Sequence, residues 1–477
     1  MKRLASAGFV LLVGAACAAQ PAPEPLEYPT TPPTTGPAPS FEMSQPVERA
    51  LPNGLRVLYL PRGGLPLVQA FLVSRGGSMD DPSDNPGLAA FTAEMLDEGA
   101  GGRDALELAG AIEQLGATLT VGESWDEAQV GLQVLREQLP DALRLMSDVV
   151  IRPDFPEAEL ARVKEERLTE LASARDEAAV IAGNAFSSLV YGSDHPYGRL
   201  STQASIRGID RSTLVDFHQR YYRPGTSTLV LAGAVDASLH SLVEEIFADW
   251  EQGAVPDLAI PGPPPMPETR IFLVDKPAAP QSEIRLGHPA VSRDTPDYYA
   301  LQVLNTLLGG SFTSRLNQNL RETHGYTYGA GSGFAMRLGE GPFSAGAAVV
   351  TEKTDSALIE FFGELTRIRD EVVPTDELDR AKQYLALRLP QEMETTGQVA
   401  ARVAELAVYD LPLDYYDDYV ERTMAVTAAD VQRVAREYVH PDRTVVVVVG
   451  DRSVVEPGLR ALPVGAVEIR EIDEFVR

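Results

Sequence analysis

The stretch "YYRPGTSTLVLAGAV" (Tyr221–Val235) reappears in altered form as "YVHPDRTVVVVVGD" (Tyr438–Asp451). In both copies a proline turn leads into an apolar run that is rich in β-branched residues and closes on a glycine. Such a run predicts a strand, and "TVVVVVG" (Thr444–Gly450) is apolar enough to be buried on both faces. The first copy closes on Gly233 and the second on Gly450, 217 positions later.

A second pair of stretches repeats at almost the same distance. "VVIRPDFPEAELARVKEERL" (Val149–Leu168) matches "EVVPTDELDRAKQYL" (Glu371–Leu385). This match places Pro156 opposite Pro374, 218 positions apart. Two independent matches at nearly one offset indicate a duplicated unit.

A proline cluster, "VPDLAIPGPPPMPE" at 255–268, separates the two copies and is interpreted as a linker. The sequence therefore predicts an N-terminal domain over 47–254 and a C-terminal domain over 269–477. Each copy begins and ends with strand patterns and has amphipathic helices between them, as in Glu157–Ala174. That order favours an α+β fold in which each half is an antiparallel-rich sheet covered by helices. A division of each half into two subdomains stays open.

Residues 1–19 have the pattern of a secretory signal, because two basic residues precede the short apolar run "FVLLVGAACAA". The only cysteine, Cys17, stands where such a signal is cut, and "VGAAC" resembles a bacterial lipobox with Gly14 in place of leucine. Cleavage before Cys17 with lipidation and ordinary cleavage after Ala19 both stay open. Residues 20–46 are proline-rich and predict an extended tether. We therefore expect an exported protein of the periplasm or cell envelope, either lipid-anchored or free.

Charge and motif content exclude several classes of function. A formal net charge of −28, with no basic run, argues against a nucleic-acid partner. Walker, dinucleotide and nucleophile-elbow motifs are missing from the sequence. No two histidines lie within four residues of each other, so no local histidine pair can start a zinc site. The six histidines are His195, His218, His240, His288, His324 and His440.

Four stretches together resemble the M16 metallopeptidases, the pitrilysin and insulinase group that includes mitochondrial processing peptidase. The resemblance covers roughly Val47–Val455 and implies two homologous halves in a clamshell arrangement. The stretch from Leu307 is the most specific of the four. They are "PNGLRVLYLPR" (Pro52–Arg62), "SDHPYGR" (Ser193–Arg199), "YYRPGTSTLVLAG" (Tyr221–Gly233) and "LLGGSFTSRLNQNLRETHGYTYG" (Leu307–Gly329).

Active members carry an inverted zinc motif, His-x-x-Glu-His, on a helix. Here the matching stretch is "PGLAAFTAEMLDEGAGG", in which we expect Pro86 to open the helix and the glycine cluster to end it. The resemblance puts Ala90 and Glu94 at the two histidine positions and Ala93 at the glutamate position. Alanine has no lone pair with which to bind zinc or activate water, and a single carboxylate does not hold zinc. We expect no metal in this chain.

A third zinc ligand in the family is a glutamate some seventy-odd residues further on. Glu170 or Glu166 is its counterpart here, and without the histidine pair we expect a solvated or salt-bridged helix face.

The C-terminal half of the family supplies an arginine and a tyrosine seven residues apart, which reach substrate at the zinc of the other half. "LRETHGYTYG" fits this pattern and gives Arg321 and Tyr328. A tyrosine hydroxyl can donate a hydrogen bond to an oxyanion, and arginine can bind a peptide carbonyl. In the competing interpretation, Arg321 pairs with Glu322 and Tyr328 packs. Tyr326 lies on the same face as Tyr328 if the segment is a strand, and His324 is a further candidate contact.

The resemblance therefore implies the zinc-lacking subunit of a heterodimeric peptidase. Zinc is expected in a partner M16 chain with an intact His-x-x-Glu-His motif, and unstructured peptides are expected as substrates. This chain would be inactive alone and would contribute Arg321 and Tyr328 in trans. Two alternatives stay open, a pseudo-peptidase scaffold of an envelope complex and an active peptidase with a non-standard metal site.

Overall fold

The computed structural model describes residues 36, 43–236, 238–254 and 257–477. Fourteen strands lie within these ranges. They are β1 (Val47–Ala50), β2 (Arg56–Pro61), β3 (Leu67–Ser74), β4 (Gly99–Ala100), β5 (Arg103–Asp104), β6 (Thr118–Glu123), β7 (Ala128–Leu135), β8 (Ser227–Gly233), β9 (Arg270–Asp275), β10 (Gln281–Val291), β11 (Gly331–Phe334), β12 (Gly341–Val350), β13 (Val445–Gly450) and β14 (Ala466–Arg470).

The same ranges contain fifteen α-helices, and Asn317–Thr323 forms a separate π-helical segment. None of the described helices is long and apolar enough to cross a membrane. The α-helices are α1 (Leu88–Glu94), α2 (Ala105–Gln114), α3 (Leu139–Ile151), α4 (Glu157–Ala174), α5 (Ala178–Tyr191), α6 (Gln203–Gly208), α7 (Arg211–Tyr221), α8 (Leu239–Phe247), α9 (Tyr298–Leu308), α10 (Thr354–Asp370), α11 (Thr375–Glu392), α12 (Thr396–Val408), α13 (Tyr419–Ala425), α14 (Ala428–Tyr438) and α15 (Arg452–Ala461).

The longer strands form two six-stranded sheets that share the order and direction of five of their strands. The first sheet has the order β1-β2-β8-β3-β7-β6, and the second has the order β14-β9-β13-β10-β12-β11. In both sheets the central parallel pair, β2 with β8 or β9 with β13, is followed by antiparallel strands. β14 occupies the edge that β1 holds in the first sheet, although it comes from the opposite end of its half. The predicted α+β fold with two homologous, antiparallel-rich halves is confirmed, and each half contains one large sheet rather than two subdomains.

Each sheet has two apolar faces because successive side chains of a strand point in opposite directions. In β8, Leu229 and Leu231 join the core of the first half, whereas Val230 and Ala232 point to the opposite, outer face. β13 alternates in the same way, and all of its residues are buried, as expected for Thr444–Gly450.

The outer face of each sheet is covered by a helix from the other half. α12 belongs to the second half and packs on β3 and β8 of the first sheet through the buried side chains of Val399, Ala400 and Val403. α5 belongs to the first half and packs on β10 and β13 of the second sheet through Ile181 and Ala182. The two helices begin at residues 178 and 396, and this separation of 218 positions equals the offset between the repeated stretches. They are equivalent helices exchanged between the halves, so separation of the halves would expose two apolar sheet faces.

Asp126, in the turn between β6 and β7, connects the two halves. Its carboxylate accepts hydrogen bonds from the Tyr197 hydroxyl at 3.3 Å, the Tyr409 hydroxyl at 3.0 Å and the Leu338 N–H at 3.1 Å. The carboxylate of the next residue, Glu127, receives no hydrogen bond from the described residues. Burial, together with repulsion from Asp126, raises the pKa of Glu127 to about 7. An acid that titrates near neutral pH therefore lies between the halves.

The leader predicted from the sequence falls mostly outside the described residues. This applies to the signal at 1–19, to Cys17 and to most of the tether. At the end of the tether, Met43 is buried in the same cluster as α12, and the Gln45 side chain donates a hydrogen bond to Asp417 at 2.8 Å. The packed part of the chain therefore begins by residue 43.

Candidate functional site

The short helix α1 carries the positions that correspond to the zinc motif. It begins at Leu88, after Gly87 adopts a left-handed conformation with a φ of 92°. A Cβ atom on Gly87 would lie 2.3 Å from the Ser201 hydroxyl oxygen, so this turn requires glycine. The Asp81 carboxylate accepts hydrogen bonds from the N–H groups of Gly87 at 2.6 Å and Ala89 at 2.7 Å. These bonds satisfy donors at the start of the helix, and burial raises the pKa of Asp81 to about 7.

The helix is shorter than the sequence pattern predicted. The expectation of a start at Pro86 is wrong, because the left-handed Gly87 lies outside helical geometry. The helix also ends at Glu94, several residues before the glycine cluster, whose Gly99 already belongs to β4.

The three zinc-motif positions of α1 have no metal-binding arrangement. Ala90 and Ala93 present methyl groups, and Ala93 is only 1% exposed. The Glu94 carboxylate accepts a hydrogen bond from Arg167 Nε of α4 at 2.6 Å. Arg167 Nη1 also lies 3.4 Å from the Glu170 carboxylate. A guanidinium group therefore joins the two helices where the family would have a metal.

These residues do not fit a zinc ion. The two alanines offer no lone pair, and the one carboxylate on α1 is already bound to a cation. Over the described ranges, no three or more histidine, cysteine, aspartate or glutamate side chains are grouped so that they could hold a metal. The helix keeps its packing, with Leu88 and Phe91 buried, but not the donors of a zinc site.

The two glutamates considered for the third ligand position have different partners. Glu170 shares the Arg167 guanidinium with Glu94. Glu166 accepts from Arg162 Nη1 at 2.8 Å, one turn earlier on the same helix. Of the two glutamates, Glu170 is the one that is linked to Glu94.

The surroundings of Arg167 are acidic. Burial and the charges of Glu98 and Glu94 raise the pKa of Asp97 to about 6. Burial also raises the pKa of Glu123 at the end of β6, and the positive charge of Arg167 opposes that rise. Arg167 therefore supplies positive charge to a region rich in carboxyl groups, as Arg162 does beside Glu98.

In the second half, the structure brings Arg321 and Tyr328 together. Arg321 lies in the π-helical segment Asn317–Thr323, and π-helical turns are frequent at functional sites. Its guanidinium carbon lies 4.4 Å from the ring centre of Phe312 and 5.1 Å from that of Tyr328. Its Nε atom is 3.5 Å from the Glu322 carboxylate. The guanidinium is therefore held between two aromatic rings and one acid.

The exposure of this group is unusual for its residue types. Tyr328 is 88% exposed and Phe312 is 63% exposed. Arg321 does pair with Glu322, as in the competing interpretation, but Tyr328 does not pack into the core. The Tyr328 hydroxyl is therefore accessible to a ligand with carbonyl or oxyanion acceptors, and the Arg321 guanidinium, on a side chain that is 26% exposed, lies beside it.

Tyr326 does not share a face with Tyr328. The segment makes a single isolated β-bridge at Thr327 and is not a strand. Tyr326 is half-buried and packs against the core, and its ring stacks on His324 with centroids 4.9 Å apart. His324 Nε2 lies 3.6 Å from the Glu360 carboxylate. Both residues are engaged within their own half.

Sequence reasoning did not single out Arg167 or Phe312. Arg167 lies three residues before Glu170, a spacing that places both on one face of a helix, and this spacing was the available signal. Phe312 belongs to the glycine-rich stretch "GGSFTSR" (Gly309–Arg315), but its contact with Arg321 depends on tertiary structure.

Comparison with known proteins matches both halves of the chain to models of one peptidase family. The family model described as "Insulinase (Peptidase family M16)" matches residues 66–195, and the model described as "Peptidase M16 inactive domain" matches residues 208–385. A protein of Mycobacterium tuberculosis named as an uncharacterised zinc protease is 30% identical over 328 residues. The match covers 67% of this chain and 74% of that protein.

Solved structures share the fold. The peptidase M16 inactive domain from Pseudomonas fluorescens has a TM-score of 0.80 and 28% identity, and the match covers 85% of this chain and 98% of that one. The periplasmic protease PqqL of Escherichia coli has a TM-score of 0.74 and 17% identity, and the match covers 86% of this chain and 46% of that one. With both family models, the relatives and the two repeated halves in agreement, this chain belongs to the M16 peptidase family.

Proposed function

We propose that this chain is the non-catalytic, substrate-binding subunit of a heterodimeric M16 zinc peptidase that acts on unstructured peptides. The observation that carries the proposal is a contrast between the halves. The zinc-motif positions of α1 hold two alanines and a glutamate bound by arginine, whereas Tyr328 is exposed and adjacent to Arg321.

In this proposal the two chains divide the chemistry. A partner M16 chain with an intact His-x-x-Glu-His motif supplies the zinc and the water-activating glutamate. This chain closes against it like half of a clamshell and encloses the peptide. The Tyr328 hydroxyl donates a hydrogen bond to the oxyanion of the tetrahedral intermediate, and the Arg321 guanidinium binds a peptide carbonyl.

The proposed location is the periplasm or cell envelope. The support is the signal pattern at 1–19 and the tether that follows it. The periplasmic protease PqqL, which shares the fold, is consistent with this location. Mass spectrometry of the mature amino terminus distinguishes a lipidated Cys17 from a chain cut after Ala19.

Reconstitution with a partner tests the proposal. The purified chain is mixed with an M16 homologue from the same genome that has the intact motif, and cleavage of an unstructured fluorogenic peptide is followed. We expect neither chain alone to match the rate of the mixture. An unchanged rate on mixing contradicts the proposal and favours the scaffold interpretation.

A further inference from the structure

The contact between α1 and α4 shows how the former metal position is now used. Glu94 on α1 stands at a ligand position of the family, and Glu170 on α4 is one of the two glutamates considered for the third ligand position. Both contact one side chain, Arg167. Arg167 Nε is 2.6 Å from the Glu94 carboxylate, and Nη1 is 3.4 Å from the Glu170 carboxylate. Two carboxylates on neighbouring helices thus share one fixed cation, which is also what a bound metal ion would provide.

Of the two arginines of α4, Arg167 is the one whose ion pair reaches a zinc-motif position. Arg162, five residues earlier, pairs with Glu98 in the segment that follows α1, and it also bonds Glu159 and Glu166 at the i−3 and i+4 positions of its own helix. Pairs of this kind are common on solvated helix faces and contribute little to stability. Arg167 also has an i+3 partner, Glu170, but its shorter bond crosses to the zinc-motif position on α1.

Electrostatics predicts what this cation does to metal binding. A divalent ion near Glu94 and Glu170 would have to displace the guanidinium or lie beside it, and like charges at a few ångströms repel strongly in a partly buried site. The side chains of Arg167 and Glu94 are only about one-third exposed, at 36% and 32%, so solvent screens the repulsion incompletely.

We propose that Arg167 is a built-in replacement for the metal: its guanidinium neutralises the remaining ligand carboxylates and closes the position between α1 and α4 to divalent cations. The loss of the histidine pair is then only part of the change, because the site has also gained a cation of its own. The proposal concerns this chain alone and does not depend on a partner subunit or on peptide cleavage.

The first test removes the cation and leaves both carboxylates in place. Arg167→Gln keeps the size and polarity of the side chain. The full chain is titrated with zinc, and the midpoint of thermal unfolding is recorded. We expect zinc to raise the midpoint of the Arg167→Gln variant by about 1–2 °C at concentrations near ten times the dissociation constant. The unchanged chain and the control Arg162→Gln should show no such rise. An equal zinc response in all three proteins overturns the proposal.

The second test restores imidazole ligands on α1. The double change Ala90→His with Glu94→His is made with Arg167 present and again with Arg167→Gln, and zinc affinity is measured by calorimetry. We expect zinc to bind at least about tenfold more tightly when Arg167 is replaced, since like charges repel and groups that contact metal ligands typically change metal affinity by about 10–100-fold. Equal affinities, or zinc binding to neither variant, contradict a closing role for Arg167. Circular dichroism checks the fold, and the first test stands if the histidine variants do not fold.

Discussion

The two halves of the chain share the order and direction of five strands, but their polar groups are paired differently. In the first half, the carboxylates near the zinc-motif helix are matched by a cation, as Glu94 and Glu170 are by Arg167. In the second half, the Tyr328 side chain is left almost fully in solvent beside Arg321. Satisfied polar groups stabilise a fold, whereas exposed, preorganised donors have capacity to bind a ligand. The contrast teaches that a duplicated architecture can be kept while the chemistry of each copy diverges.

The largest effect is expected from a charge placed on the buried face of either exchanged helix, α5 or α12. Comparing the two helices shows whether they contribute equally to the association of the halves. Ala182 of α5 and Ala400 of α12 are equivalent in the repeat and fully buried. Ala400→Glu places an unpaired charge against the first sheet and should lower the free energy of unfolding by roughly 3–5 kcal/mol. Ala182→Glu should cost about the same against the second sheet. Denaturant unfolding measures both, with Ala401→Glu at an exposed neighbouring position as the control.

If only one of the buried substitutions lowers the free energy of unfolding, the two exchanged helices do not contribute equally to stability. The comparison of the halves would then hold for topology alone.

The next effect tests the exposed donors of the second half. In the reconstituted mixture, Tyr328→Phe removes one hydroxyl and should lower the cleavage rate by roughly 10²–10³-fold, the usual cost of losing an oxyanion donor. Arg321→Ala should also reduce cleavage. Because Tyr328 is 88% exposed, its change should alter the free energy of unfolding by less than about 0.5 kcal/mol. Tyr326→Phe is the matched control, and an equal loss in both tyrosine variants would assign the effect to local structure.

A smaller effect is expected at the boundary between the halves, from Glu127. The folded chain holds the Glu127 proton up to a pKa of about 7, whereas the unfolded chain releases it near 4.5. The folded state therefore binds more protons between these values, and its stability falls as the pH rises through this window. Glu127→Gln removes this loss and should make the protein about 1–3 kcal/mol more stable, relative to the unchanged chain, at pH 8 than at pH 5.

Denaturant unfolding at the two pH values measures this difference. Glu137→Gln, at an exposed position after β7, provides the baseline for removing a carboxylate. If Glu127→Gln and Glu137→Gln change stability equally between the two pH values, the pKa of Glu127 is not raised in the folded chain.

The smallest effect distinguishes the starts of the two exchanged helices. α12 begins with a capping box, in which Thr395 Oγ1 accepts from the Gln398 N–H and the Gln398 side chain accepts from the Thr395 N–H. The N-cap residue of α5, Glu177, makes no side-chain capping hydrogen bond. Thr395→Ala should lower the free energy of unfolding by about 1 kcal/mol. Glu177→Ala should change it less, and equal losses would remove this difference between the helices.

The sequence was sufficient for features that depend on local pattern. It predicted α4 over Glu157–Ala174 and the fully buried β13, because periodicity and β-branched runs report local structure directly. The start of α1 was misplaced because the left-handed turn at Gly87 depends on Asp81 and Ser201.

The sequence pattern could not identify which elements pack against each other. An apolar helix face predicts burial but does not specify the sheet, so the crossing of α5 and α12 could not be derived. For the candidate site, the alanines at 90 and 93 indicated that a zinc ligand and the water-activating glutamate are missing. That Arg167 reaches Glu94 depends on how α4 packs beside α1, which no spacing in the sequence reports.

The exchange of α5 and α12 also has a consequence for how the chain is made. The first sheet cannot cover its outer face until α12, which ends at Val408, has emerged from the ribosome. Multidomain chains commonly fold one domain at a time during synthesis, and contacts between distant residues form slowly. In this chain, neither half can finish before most of the polypeptide exists. The apolar outer face of the first sheet therefore stays uncovered during most of synthesis, when it is open to contacts with other chains.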